Sequence, residues 1–280
     1  MKLKQTILSL FKARPKSKKG SPVLFFPYEP GASHYILRKT AEPIPEGASM
    51  PVPPSDRWIS KKYGKTVEEY LSSGKRDMEE MCDILSQSGV SLESSGRILE
   101  FGCGNGRMIR WLEGMAKKGE VWGTDIDATR VFWCKQNLSP SFRFITTTFV
   151  PHLPFEDHYF GFIYAGSVFS HIDDLADTWF AELRRVLRPG GTLFITVHLK
   201  NDLAVLKREE YRDTGLARRL RRFSEHERSD FNMFTIGRAE QSFVFYDIDY
   251  LRRSLEPFFR ILSVTEEVRL YQNALLLERV

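Results

Sequence analysis

Residues 98–108 read ILEFGCGNGRM, an apolar strand that reaches Glu100 and then turns through Gly102, Gly104 and Gly106 toward a helix. No other stretch of the chain restricts the fold as tightly. Glycine takes left-handed backbone conformations freely, and without a Cβ it lets backbone N–H groups approach a ligand. The N-terminus of the following helix favours an electron-rich or anionic group. The run therefore predicts a strand–turn–helix unit that receives a nucleotide cofactor. A dinucleotide fingerprint places its third glycine where this chain has Arg107, which disfavours NAD and FAD and leaves a nucleotide-dependent oxidoreductase as the weaker enzyme reading.

The next apolar run, VWGTDI (121–126), places Asp125 roughly 20 residues beyond the glycine turn, where a βαβ unit puts the end of its second strand. A carboxylate at that point can accept both hydroxyl hydrogens of a ribose. Between the two strands, Met108, Ile109, Trp111, Leu112 and Met115 mark one apolar helical face. The compact G-x-G-x-G turn with an acidic residue two positions ahead resembles motif I of the class I S-adenosylmethionine-dependent methyltransferases. That resemblance implies S-adenosylmethionine as cofactor and S-adenosylhomocysteine as product. It implies a cofactor site made by Glu100, Gly102, Cys103, Gly104, Asn105 and Gly106, with Asp125 on the ribose, Ile126 against adenine, and Ala165 and Gly166 after the fourth strand.

Leu153-Pro154-Phe155, followed by FGFIYAG (160–166), resembles the family's segment entering that fourth strand, and LRRVLRPGGTLFI (183–195) resembles its post-motif region. Two departures stand out. Gly161 replaces a common aspartate, and Thr148 or Phe149 replaces the acidic residue near the adenine amino group. A phenyl ring packs on adenine but accepts no hydrogen bond from it. Asp173 or Asp174 is expected to cap a helix whose apolar face runs from Leu175 to Leu187, with Pro189, Gly190 and Gly191 stopping it. A fifth strand (192–197), a helix from about Asp247 to Phe258, the strand FRILSVTEEV (259–268) and a last strand at 274–278 complete the pattern. The expected fold is α/β: a doubly wound, mostly parallel seven-stranded sheet with helices on both faces and an antiparallel last strand. The resemblance covers roughly residues 81–280.

At 42% hydrophobic residues, 280 residues can build one substantial core with appendages. The expected division is a basic N-terminal tail and extended arm over 1–57, then the methyltransferase domain over 58–280. Lys2, Lys4, Lys12, Arg14, Lys16, Lys18 and Lys19 lie beside the stripe Leu3, Ile7, Leu8 and Phe11, which suits an anionic membrane surface, a packed helix or a tail. Residues 21–54, rich in Pro, Gly and aromatics, read as an extended arm, and Trp58–Leu85 as helical, with Tyr70 and Arg76 as cleft candidates. With no apolar run long enough to span a bilayer and no secretory pattern, the expected location is the cytoplasm. Cys82, Cys103 and Cys134 fit neither a disulfide framework nor paired metal-ligand spacing, so no metal is expected.

The stretch 199–243 is too long for a bare connection and follows the carboxyl end of strand five, so it reads as a helical insertion on the substrate side. Its Arg218, Arg219, Arg221 and Arg222 suit a phosphate-bearing substrate, a nucleic acid or solvent. No aromatic RNA-binding signature, zinc finger or NPPY-like motif accompanies them. AGSVFSHIDD (165–174) instead puts Ser167, Ser170 and His171 at the expected substrate mouth. A small hydroxyl-, carboxylate- or amine-bearing metabolite, a sugar-derived one included, is the favoured acceptor, with His171 as general base or as a packing residue. RNA and a noncatalytic interaction role stay open, as does the oligomeric state.

Overall fold

Thr66 begins the first described helix, α1 (Val67–Gln87), by accepting the Glu69 N–H on its hydroxyl at 3.2 Å. The computed structural model describes residues 50–55, 58, 64–223, 230–237, 242–269 and 271–280; the expectations for residues 1–49, 56–57 and 59–63 lie outside them. Tyr70, Ser73, Asp77, Met81, Ile84 and Leu85 recur at helical spacing and form the buried face of α1.

The chain then builds β1 (Ile98–Phe101), α2 (Glu113–Ala116), β2 (Val121–Asp125), α3 (Ala128–Asn137), β3 (Arg143–Thr146), β4 (Phe160–Ala165), α4 (Ala176–Val186) and β5 (Leu187–Leu199). The insertion contributes α5 (Asp202–Val205), α6 (Gly215–Leu220), β6 (Met233–Ile236) and β7 (Phe243–Tyr246), and α7 (Ile248–Leu255), β8 (Phe259–Val268) and β9 (Gln272–Arg279) follow. The main sheet has the order β3-β2-β1-β4-β5-β9-β8. Its first five members pair in parallel, and β9 runs antiparallel to both β5 and β8. This is the doubly wound, seven-stranded arrangement expected.

Neighbouring residues on one strand point to opposite faces, and the core follows that alternation. Leu99, Ile163, Leu193 and Leu277 pack with α4 and α7 on one face. Ile98, Phe162, Phe194 and Leu276 pack with α1 and α3 on the other. Both faces are dry, as a parallel sheet requires.

Four local expectations need correction. The apolar stretch after the glycine turn is a 3-10 turn (Ile109–Leu112) and the short α2, not one long helix, and Trp111 is 39% exposed. Arg110 takes the inward position, donating to the carbonyls of Gly106 and Pro51, while Gly114 and Gly119 weaken helix propagation. Neither Asp173 nor Asp174 caps α4; Leu175 holds that position, and the Asp173 carboxylate accepts the N–H of Asp174. Pro189–Gly191 lies within β5, at a register shift against β4, with α4 already ended at Val186. Among its described residues the insertion is helical only in its first half. It then adds β6 and β7 as a hairpin, β7 pairing in parallel with the end of β5 at His198 and Leu199. Short apolar runs such as FVFY carry no period that separates strand from buried helix. Among the described residues no helix is long and apolar enough to cross a membrane.

Candidate functional site

The strand order reverses between β1 and β4, and in an open α/β sheet the crevice outside the carboxyl ends at that reversal receives the ligand. The glycine turn occupies it. Gly102, Gly104 and Gly106 have φ of 83°, 52° and 74°, which side-chain-bearing residues adopt at a cost. The N–H groups of Gly102 and Cys103 both donate to the Thr124 carbonyl at 2.8 Å, tying the turn to β2. A Cβ on Gly102 would lie 2.4 Å from the Val168 side chain.

Asp125, at the end of β2, accepts the Gly104 N–H at 2.7 Å on one oxygen and the Asp127 N–H at 2.9 Å on the other. It thus shapes the turn, and each oxygen keeps a second lone pair for a ligand hydroxyl. Burial raises its pKa against the lowering effect of those N–H groups. Ile126 and Phe149 follow adjacent strand ends and are 44% and 61% exposed, an apolar surface of the kind a purine ring covers. Thr148 turns its hydroxyl back to the Val150 N–H at 3.3 Å. Gly161 has a structural reason to lack a side chain: a Cβ there would meet the Ser95 carbonyl at 1.9 Å.

Glu100 is buried and accepts the Ile109 N–H at 3.0 Å. Burial pushes its pKa up to about 8 against the Tyr164 hydroxyl and the charges of Arg107 and Arg269. Cys103 and Cys134 pack beneath the turn, 3.7 and 3.5 Å from the Gly104 carbonyl. The Cys134 thiol and then burial hold Cys103 well above the ordinary thiol pKa, which makes it a packing residue. The Asn105 amide and the Tyr70 hydroxyl are buried without a hydrogen-bond partner among the described residues. Such atoms are rare in folded chains, and their mix of donors and acceptors beside an open glycine turn fits an adenosine-bearing amino-acid cofactor.

The sequence reading missed what locks the turn in place. Arg107, noted only for interrupting a dinucleotide pattern, donates to Asp77 of α1 at 2.5 Å, and Arg269, from the turn between β8 and β9, reaches the same carboxylate oxygen at 3.1 Å. Gly74 lets α1 lie on this loop, since a Cβ there would sit 2.3 Å from the Arg107 carbonyl. Arg76, expected in the cleft, is exposed, whereas Tyr70 is buried and stacks on Trp58 at 4.7 Å. The only advance signal was the 3–4 spacing that put Ser73 and Asp77 on one face with Tyr70.

Beyond β4, Ala165 is buried and Gly166 borders the crevice; Ser167 follows with a φ of 59°. The Gln272 carbonyl oxygen accepts from the hydroxyls of Ser167 (2.7 Å) and Thr196 (2.8 Å), and its amide donates to buried Ser170 at 3.3 Å. The half-buried His171 approaches the Ser242 carbonyl with Nδ1 at 2.6 Å. A carbonyl only accepts, so the ring proton sits on Nδ1 and Nε2 is the basic nitrogen. Phe243 packs 5.3 Å from the His171 ring, and the Arg219 guanidinium lies 5.6 Å over Phe243. Arg218, Arg221 and Arg222 are exposed. Among the described residues no group of three His, Cys, Asp or Glu side chains is placed to hold a metal ion.

Two buried carboxyls set a pH dependence. Asp202, at the start of α5, accepts from the Leu199 N–H and Asn273, and burial pushes its pKa up to about 8, as for Glu100. In the unfolded chain both titrate near 4. The folded state therefore binds more protons between about pH 4 and 8, and this contribution to stability is full below that window and lost as pH rises through it. Thermal melts of the ligand-free chain at pH 6 and 8.5 are expected to show a slope that Glu100→Gln with Asp202→Asn reduces. An unchanged slope in the double variant would reject the assignment.

A family model described as a methyltransferase domain matches residues 99–195. The ubiquinone/menaquinone biosynthesis C-methyltransferase UbiE of Neisseria meningitidis serogroup C (strain 053442) is 28% identical over 151 residues, 48% of this chain and 60% of that protein. This chain thus spans about 60% of the length of that curated relative. A solved protein of Pyrococcus horikoshii OT3 shares the fold at a TM-score of 0.56 and 20% identity, covering 79% of this chain and 97% of the other. Magnesium protoporphyrin IX methyltransferase from Synechocystis PCC 6803 does so at 0.52 and 18%, covering 80% and 94%.

Proposed function

We propose that this chain carries a class I S-adenosylmethionine-dependent methyltransferase domain and methylates a small molecule bearing a hydroxyl, carboxylate or amine, a sugar-derived metabolite included. One observation carries the reading: three left-handed glycines sit at the strand reversal, with Asp125 closing the turn on the Gly104 N–H. The names of the relatives, which refer to ubiquinone, menaquinone and magnesium protoporphyrin IX, support an acceptor that is not a macromolecule.

The cofactor supplies a methyl group on a sulfonium, which departs as a thioether. The chain's own part is placement and proton handling. Glu100, Gly102, Cys103, Gly104, Asn105, Gly106, Ala165 and Gly166 would line the cofactor, Asp125 would hold the ribose hydroxyls, and Ile126 with Thr148 and Phe149 would border adenine. For a hydroxyl acceptor, Nε2 of His171 takes the proton as the oxygen–methyl bond forms, and the Ser242 carbonyl keeps the other ring proton in place.

Calorimetric titration with S-adenosylhomocysteine tests the cofactor half. Asp125→Ala is expected to weaken binding by about 10- to 100-fold, the range of one charge-assisted hydrogen bond or more. Preferential binding of NAD would reject the reading. A screen with labelled cofactor over metabolites and RNA tests the acceptor half. Exposed Arg218, Arg221 and Arg222 favour RNA as the second reading, and no transfer to any acceptor would favour a noncatalytic interaction protein.

A further inference from the structure

Arg269 directly follows β8, far along the chain from the glycine turn and Asp125, yet its side chain is buried at the strand reversal. Its guanidinium rests against Gly166, so closely that a Cβ on that glycine would lie 1.5 Å from Nη1. Its charge acts on both Glu100 at the end of β1 and Tyr164 on β4. Two carboxylates of α1 fix it there: Asp77 meets Nε at 3.1 Å, and Glu80 accepts the backbone N–H at 3.1 Å. The backbone is held at a φ of 44°, a region that an arginine occupies only when its surroundings impose it. An ordinary surface arginine at a hairpin turn would need none of this.

We propose that Arg269 receives the carboxylate of the cofactor's amino-acid end, an assignment that rests on the cofactor reading above. With the ribose at Asp125 on β2, a ligand crossing β1 toward β4 covers two strand spacings, about 10 Å, and arrives at Gly166. The guanidinium there carries a planar fork of donors whose geometry matches a carboxylate. The neighbouring Glu100 carboxyl suits the ammonium on the same carbon. This hairpin also carries Gln272, which organises Ser167 and Ser170, so one turn supports both the cofactor's amino-acid end and the loop leading to His171.

The test compares two nucleosides that differ only at that end. Calorimetry of the full chain is expected to show that Arg269→Gln weakens S-adenosylhomocysteine at least about tenfold while 5′-methylthioadenosine, which lacks the amino-acid group, stays within about twofold. Arg269→Lys, which keeps the charge toward Asp77 but loses the fork, is expected to lose about threefold or more for S-adenosylhomocysteine alone. Equal weakening of both nucleosides, or undiminished S-adenosylhomocysteine binding by either variant, would overturn the assignment. A wild-type chain that binds neither nucleoside would overturn the cofactor reading with it.

Discussion

Asp77→Ala is expected to destabilise the chain by about 3–5 kcal/mol, because it strips the shared partner from two buried guanidiniums without removing either of them. Asp77, Arg107 and Arg269 have side chains only 7%, 6% and 8% exposed, so water cannot replace the missing carboxylate. For a domain of this size that corresponds to a fall in melting temperature on the order of 10 °C. Thermal and urea unfolding of the ligand-free protein measure it. Asp77→Asn keeps the volume and one acceptor and should fall between. A melting temperature within about 2 °C of wild type for the alanine variant would mean that α1 is held by its apolar face alone.

His171→Ala is expected to slow methyl transfer to a hydroxyl acceptor by about 10²-fold or more, the contribution of a positioned base, while S-adenosylhomocysteine affinity stays nearly constant. Single-turnover rates at saturating cofactor separate chemistry from binding. Wild type should lose rate on the acidic side as Nε2 protonates, and the alanine variant should lack that limb. If both proteins share one profile, the proton leaves by another route. A parallel loss of cofactor affinity and melting temperature would reduce His171 to the residue that joins Val168 and Ser242, since its own backbone and ring bond to both.

The parallel half of the fold was legible because its signals are local. Glu100, the alternating glycines and Asp125 lie within a single βαβ unit, and their spacing is enforced by one turn and one strand. The departure at Gly161 was visible too, but its cause was not: the Ser95 carbonyl that fills the space comes from a different loop. Arg107 and Arg269 illustrate the limit more sharply. They meet on one carboxylate although they are remote in sequence, and an arginine beside a glycine turn or in a hairpin carries no mark of its destination. The β6–β7 hairpin escaped for a different reason, since four-residue apolar strands at a sheet's end have too few residues to declare a period.

The partner of His171 is a main-chain oxygen, that of Ser242, and it belongs to the appended segment and not to the sheet. Substitution cannot delete a carbonyl. The side chains around it, Phe243 and Arg219 among them, are therefore open to exchange while the imidazole keeps its tautomer and aim. If His171 acts as the proposed base, a lineage that altered this segment would change the surroundings of the imidazole before it changed how a proton is removed. On the proposed reading, new acceptor preferences would arise by remodelling this wall, with the residues proposed to hold the nucleoside left untouched.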